Sequence, residues 1–159
     1  MQDSTDDDEL AAAALHYARN GHAVLPLFPG TKVPRVKRGL HAATTDIETV
    51  RQHWDTHSRD NIGLRPAEGV LVLDVESVAG HGVDGHATLA ALIAELGPLP
   101  ENCPIAETAT GGRHIWLRCD GGPLVASLGS GIDVKKHSGY LVVPPSRING
   151  IPYRWIVPL

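Results

Sequence analysis

Residues 70–76, Val-Leu-Val-Leu-Asp-Val-Glu, run four apolar side chains straight into two carboxylates, and a Ser-, Ala- and Gly-bearing loop follows at once. An unbroken apolar run of this length, rich in β-branched residues and bounded by turn residues, predicts a buried central strand. Alternate side chains on a strand share a face, so Asp74 and Glu76 point one way and Val75 the other. Two carboxylates at the end of such a strand repel each other and lose hydration. They stay ionised at low cost only with a cation between them. Hard oxygen donors of this kind suit Mg²⁺ or Mn²⁺. The other reading ends the strand at Asp74 and leaves both carboxylates solvated.

Two more polar groups stand where a strand would carry apolar ones. His114 follows Thr110-Gly-Gly-Arg113 and precedes Ile115-Trp-Leu117, and Asp133 is flanked by Ile132 and Val134. Taken singly, each has an ordinary explanation, a satisfied core histidine and a turn acid. Taken together on one sheet, every such intrusion requires its own partner. Three carboxylates, an imidazole and nearby Arg and Lys are what metal-assisted phosphoryl transfer requires. Two divalent ions held by carboxylates activate the attacking hydroxyl and offset charge on the leaving phosphate. Cationic donors and the imidazole orient a triphosphate. No Gly-x-x-x-x-Gly-Lys-Ser/Thr loop is present, so a nucleotide would be held by side chains of the sheet.

The elements that must position these groups follow from the pattern of the chain. Residues 1–5 are expected to form a disordered acidic arm. A helix runs from Asp6 or Asp7 to Asn20, with acidic residues first, Arg19 late and Gly21 as the stop. A strand covers His22 to Phe28. The loop from Gly30 to Gly39 carries Lys32, Arg35, Lys37 and Arg38 and is too punctuated for regular structure. A solvated surface loop and a phosphate-contacting loop are equally open for it. Thr44-Thr45-Asp46 caps a helix through about His57. Asn61 to Leu64 reads as a short strand paired to the central one through a turn at Pro66 to Gly69. A helix from about Ala87 to Leu96 follows, and then a hairpin of Ile105–Thr110 with Arg113–Arg118. Gly131–Val134, Tyr140–Val143 and Tyr153–Val157 are further strands. Helices followed by hairpin-linked strands predict an α+β domain with a largely antiparallel sheet.

The 159 residues suit a single domain. No apolar run is long enough to span a membrane and no signal peptide opens the chain, so a cytoplasmic protein with reduced thiols is expected. Cys103 and Cys119 cannot build a structural zinc site by themselves. The net charge of −4 argues weakly against a nucleic-acid partner, but the basic loop is a local patch that can bind phosphates.

Asp74-Val-Glu76, Thr110-Gly-Gly-Arg-His114 and Ile132-Asp133-Val-Lys resemble the three motifs of the bifunctional primase–polymerase (Prim-Pol) domain of the archaeo-eukaryotic primase superfamily, found in plasmid and phage replication proteins. Gly30-Thr-Lys-Val-Pro34, Ala43-Thr-Thr-Asp46, Trp54, Asn61-Ile-Gly63 and Gly139-Tyr-Leu-Val-Val-Pro-Pro-Ser146 extend the resemblance over nearly the whole chain. It implies a single catalytic domain over residues 6–159 with an archaeo-eukaryotic primase-like core. It also implies a template-dependent nucleotidyl transferase, primase and/or DNA polymerase, with Asp74, Glu76 and Asp133 binding the catalytic Mg²⁺ or Mn²⁺ ions. His114 would then contact the phosphates of the incoming nucleoside triphosphate, with Lys32, Arg113 and Lys135 as phosphate or template contacts. Single-stranded DNA is the implied template and a helicase domain or protein an implied partner. A catalytically weak domain binding single-stranded DNA or nucleotide is the alternative; retention of all three carboxylates favours the enzyme, since binding alone would prefer Lys and Arg there. The chain departs from the family pattern at Gly112, where a hydroxyl is frequent, so such a contact must come from elsewhere. Lys135 stands where Arg is frequent and keeps the charge without the bidentate fork. Two cysteines exclude the zinc stem of some relatives.

Overall fold

The computed structural model describes residues 4–121 and 125–159. Helix α1 (Ser4–Arg19) presents Leu10, Ala14, Tyr17 and Ala18 to the core at helical spacing. Of the expected disordered arm, residues 1–3 lie outside the described residues, and Ser4 and Thr5 already belong to the helix. Strand β1 (Ala23–Leu27), the basic loop and a 3-10 turn (Gly39–Ala42) lead to α2 (Ile47–Thr56). There the Asp46 carboxylate accepts the Thr49 amide at 2.7 Å, the expected cap. Next come β2 (Asn61–Arg65), β3 (Val70–Val75), a single turn α3 (Val78–His81) and α4 (Gly85–Leu96). The last third is β4 (Ile105–Glu107), β5 (Arg113–Arg118), β6 (Ile132–Lys135), β7 (Leu141–Val142), β8 (Arg147–Ile148), β9 (Ile151–Pro152) and β10 (Arg154–Val157).

The α+β class read from the sequence is the one found, and every pairing between the named strands is antiparallel. The strands divide into a five-stranded sheet in the order β10-β4-β5-β3-β6, a three-stranded sheet β1-β2-β7 and the small hairpin β8-β9. This corrects one expectation: Asn61–Leu64 does not pair with the central strand. β2 lies between β1 and β7, with Asn61, Ile62, Gly63 and Leu64 all buried. The chain crosses between sheets after Arg65, whose Nε donates to the His137 carbonyl at 2.7 Å, while His137 Nδ1 lies 2.9 Å from the Pro66 carbonyl oxygen. Those bonds tie the crossing to a distant loop instead of closing a local hairpin.

β3 is the shared wall of two cores. Val72 joins the cluster of α1, α2, β1 and β2, which contains Tyr17, Trp54, Ile62, Leu64 and Trp116. Leu73 and Val75 join Leu89, Ile115, Ile132 and Val134 on the α4 side. Strand alternation therefore puts Asp74 on the Val72 face, at the end of the strand where the first core stops.

Candidate active site

The pairing register sets three polar side chains abreast. Asp74 on β3 stands opposite His114 on β5 and opposite Asp133 on β6. Residues paired across adjacent strands share a face, so the row Asp133–Asp74–His114 crosses three strands on the side away from α4. The neighbours of Asp133 and His114 in sequence, Ile132, Val134 and Ile115, fill the α4 core and fix which way the polar residues turn. Lys135, two residues beyond Asp133, returns to the same face. Its Nζ lies 3.1 Å from Asp133 Oδ2 and 3.9 Å from Asp74 Oδ2.

This ammonium answers the electrostatic problem posed by the carboxylates. Burial by itself pushes the Asp74 pKa up, but the contact with His114 Nε2, 3.4 Å from Oδ1, and the charges of His114, Lys135 and Lys32 outweigh it. The Asp74 carboxyl is held below its ordinary range. At Asp74 the cost of burying a carboxylate is thus outweighed by cations that the fold itself supplies.

Glu76 lies one residue past β3, and its backbone is fixed on both sides. Its amide donates to the Gly131 carbonyl at 2.8 Å and its carbonyl accepts the Gly85 amide at 3.0 Å. This junction is so close that a β-carbon on Gly85 would run into the Gly131 carbonyl and come within 2.8 Å of the Glu76 backbone. Glycine at 85 is what brings α4, β3 and the start of β6 together. The Glu76 carboxylate meets His81 Nε2 at 3.3 Å, at the end of α3. Among the described residues no three His, Cys, Asp or Glu side chains are gathered into a metal-holding cluster. The donor set nonetheless fits a hard divalent ion. Asp74 and Asp133 already share one cation, the Lys135 ammonium, between them.

His114 is buried, and its Nδ1 has no hydrogen-bond partner among the described residues. An orphaned buried polar atom costs about 1–3 kcal/mol. Its ring lies 5.8 Å from that of Tyr153. Burial, and then the charges of Asp74 and Glu76, push the Tyr153 hydroxyl up to about 12. The hydroxyl therefore keeps its proton at neutral pH. The departure at Gly112 also has a physical reason: a β-carbon there would sit 2.5 Å from the Val75 carbonyl. Two hydroxyls lie in the adjoining turn. Thr108 Oγ1 accepts the Gly112 amide at 3.0 Å and lies 3.3 Å from Thr110 Oγ1.

The basic loop divides. Arg35 is not available to phosphates: its Nε and Nη2 donate to the two oxygens of buried Asp60 at 2.5 and 2.7 Å, and its guanidinium lies 4.4 Å from the centre of the Phe28 ring. Lys32, Lys37 and Arg38 are exposed, and the charge of Lys32 reaches Asp74. Arg113 is exposed and stands opposite Val75 and Glu107, out of the row that contains His114. Asp74, Asp133, His114 and Lys135 are therefore brought together, Lys32 lies within electrostatic range, and Glu76 sits at the margin. Tyr153 and His81 carried no signal in the sequence, since an aromatic opening a strand reads as core and a histidine in a glycine-rich loop as solvated.

The fold is an antiparallel α+β domain that carries two aspartates and a histidine abreast on its central sheet. The chain matches the family described as bifunctional DNA primase/polymerase, N-terminal, over residues 14–159, and it belongs to that family. Its activity is accordingly of the primase/polymerase type, nucleotidyl transfer in DNA replication. No curated protein matches the chain. No helix among the described residues is long and apolar enough to cross a membrane.

Proposed function

We propose that this domain is a template-dependent nucleotidyl transferase that adds nucleotides on a single-stranded DNA template in plasmid or phage replication. The observation that carries the reading is the row Asp133–Asp74–His114 with Lys135 between the carboxylates. Asp74 and Asp133 would hold Mg²⁺ or Mn²⁺, with Glu76 completing the set from the end of β3. Such ions, when bound, activate the attacking hydroxyl and offset charge on the leaving phosphate. His114 offers its unpartnered nitrogen to the incoming triphosphate, and Asp74 keeps its ring in place. Lys135 and Lys32 supply positive charge that phosphate oxygens can share once the carboxylates are otherwise engaged. The Tyr153 ring lies 5.8 Å from that of His114, and its hydroxyl keeps its proton.

The test is incorporation of labelled nucleotide on single-stranded DNA, with and without a primer, in Mg²⁺ and in Mn²⁺. Template-dependent product is expected with added nucleoside triphosphate. A protein that binds the DNA yet incorporates nothing in either metal would overturn the enzymatic reading and leave a binding domain. Degradation of the DNA without added triphosphate would instead indicate a nuclease.

A further inference from the structure

Lys32 stands in a loop without regular structure, yet side chains from elsewhere in the fold grip the peptide carbonyls on both sides of it. Asn61 Nδ2 donates to the Thr31 carbonyl at 3.0 Å and to the Arg147 carbonyl at 2.7 Å, while its Oδ1 accepts the Arg147 amide at 3.0 Å. Tyr140 Oη donates to the Lys32 carbonyl at 2.8 Å. The loop also closes on itself, with the Phe28 amide bonded to the Val33 carbonyl at 2.8 Å and the Arg35 amide to the Pro26 carbonyl at 3.0 Å. The Arg35–Asp60 pair clamps the downstream end.

These contacts exceed what burial of the loop would require. Asn61 opens a strand whose next three residues, Ile62, Gly63 and Leu64, are buried without polar side chains, and it is itself only 2% exposed. A buried amide at that place is tolerated because all three of its bonds are made. A lysine side chain carries about 2 kcal/mol of rotamer entropy, and a mobile main chain would add to what must be ordered when a ligand arrives. Fixing the carbonyls before and after Lys32 removes the backbone share in advance.

We propose that Asn61 and Tyr140 are positioning residues that hold the Lys32 main chain so that its ammonium meets the triphosphate of an incoming nucleotide in front of Asp74. The inference rests on the nucleotidyl-transfer reading above. Neither side chain needs to touch the substrate; both act through Lys32.

Tyr140→Phe isolates the contact, because the ring that packs over Gly63 is kept and only the hydroxyl is lost. With one hydrogen bond at stake, the nucleotide KM should rise about three- to tenfold, with kcat within twofold and the thermal midpoint unchanged. Lys32→Ala should raise KM further. The double variant Lys32→Ala/Tyr140→Phe should match Lys32→Ala alone, since the hydroxyl has nothing left to position. Asn61→Ala should move KM in the same direction but with lost stability, so Tyr140→Phe keeps the test readable if that variant fails to fold. An unchanged KM in Tyr140→Phe, or fully additive effects in the double variant, overturns the inference. If the wild-type protein incorporates no nucleotide at all, the nucleotidyl-transfer reading falls and this one with it. Incorporation by the wild type with indifferent variants removes only the positioning role.

Discussion

Replacing Arg35 by Gln separates the structural cation of the basic loop from those free to meet nucleic acid. Asp60 is buried, its side chain 1% exposed, and loses its bidentate partner at 2.5 and 2.7 Å, while His53 Nε2, 2.8 Å away, remains. Removing one partner of a buried pair costs about 3–5 kcal/mol. The remaining imidazole and the partial exposure of Arg35 bring that to about 2–3 kcal/mol. For a domain of this size each kcal/mol moves the midpoint by about 2–4 °C, so a fall of roughly 4–12 °C is expected in a thermal melt. Lys37→Gln/Arg38→Gln should melt within about 0.5 kcal/mol of wild type, as exposed substitutions do. The same variant should flatten the slope of log affinity for single-stranded DNA against log salt by up to about 1.4 if both cations meet phosphates. Arg35→Gln should leave that slope unchanged. A melt of Arg35→Gln indistinguishable from wild type, or a slope change as large as that of the double variant, would refute the division of the loop.

Asp74→Asn should lower incorporation by about 10³-fold or more, the share of several kcal/mol that metal-held charge contributes, and near wild-type turnover would remove Asp74 from catalysis. It should also lower stability by about 1 kcal/mol, since partly exposed charge contacts are lost without a change of shape, and a raised midpoint would mean that the carboxylates repel after all. The Asp74 pKa lies below the ordinary 3.8, so its contribution is present above that value and is lost as pH falls through the depressed one. The midpoint difference between wild type and Asp74→Asn should therefore shrink toward zero in acid melts. His114→Ala should weaken nucleotide binding and slow chemistry by about 10²-fold; lost stability with unchanged affinity per folded molecule would return it to the core. Gly85→Ala should cost more than about 2 kcal/mol, because its β-carbon has nowhere to go but the Glu76–Gly131 junction, and a wild-type melt would refute that packing.

What the sequence made legible was whatever broke a local pattern. Asp74, His114 and Asp133 stood out because each interrupts an apolar strand, and the structure sets them side by side. The cap at Asp46 and the helix after it were readable for the same reason, since capping chemistry lies within three residues. What depended on long-range partners was not readable. Arg35 looked like its neighbours Lys37 and Arg38 because Asp60 is far along the chain, and nothing local marks an arginine as already paired. The partners of β2 were misread because a short buried strand carries no record of which sheet encloses it. Glu76 alternated correctly with Asp74, but the strand ends at Val75 and His81 engages its carboxylate.

β6 is the outermost strand of its sheet and is joined to the other named strands only through β3. A shift of one residue along that seam would turn Asp133 toward Leu89 and Ile115 and present a branched alkyl group to Asp74 and Lys135. The barrier to such a slip lies behind the site, where Ile132 and Val134 are locked into the α4 core. Those two residues act as an index mark for the face that carries the row. A change of shape at Ile132 could silence the row without touching any of its members, and a screen for inactive variants should find hits on the wrong side of the sheet. An isoleucine that never meets a nucleotide is part of how the carboxylates are kept in line.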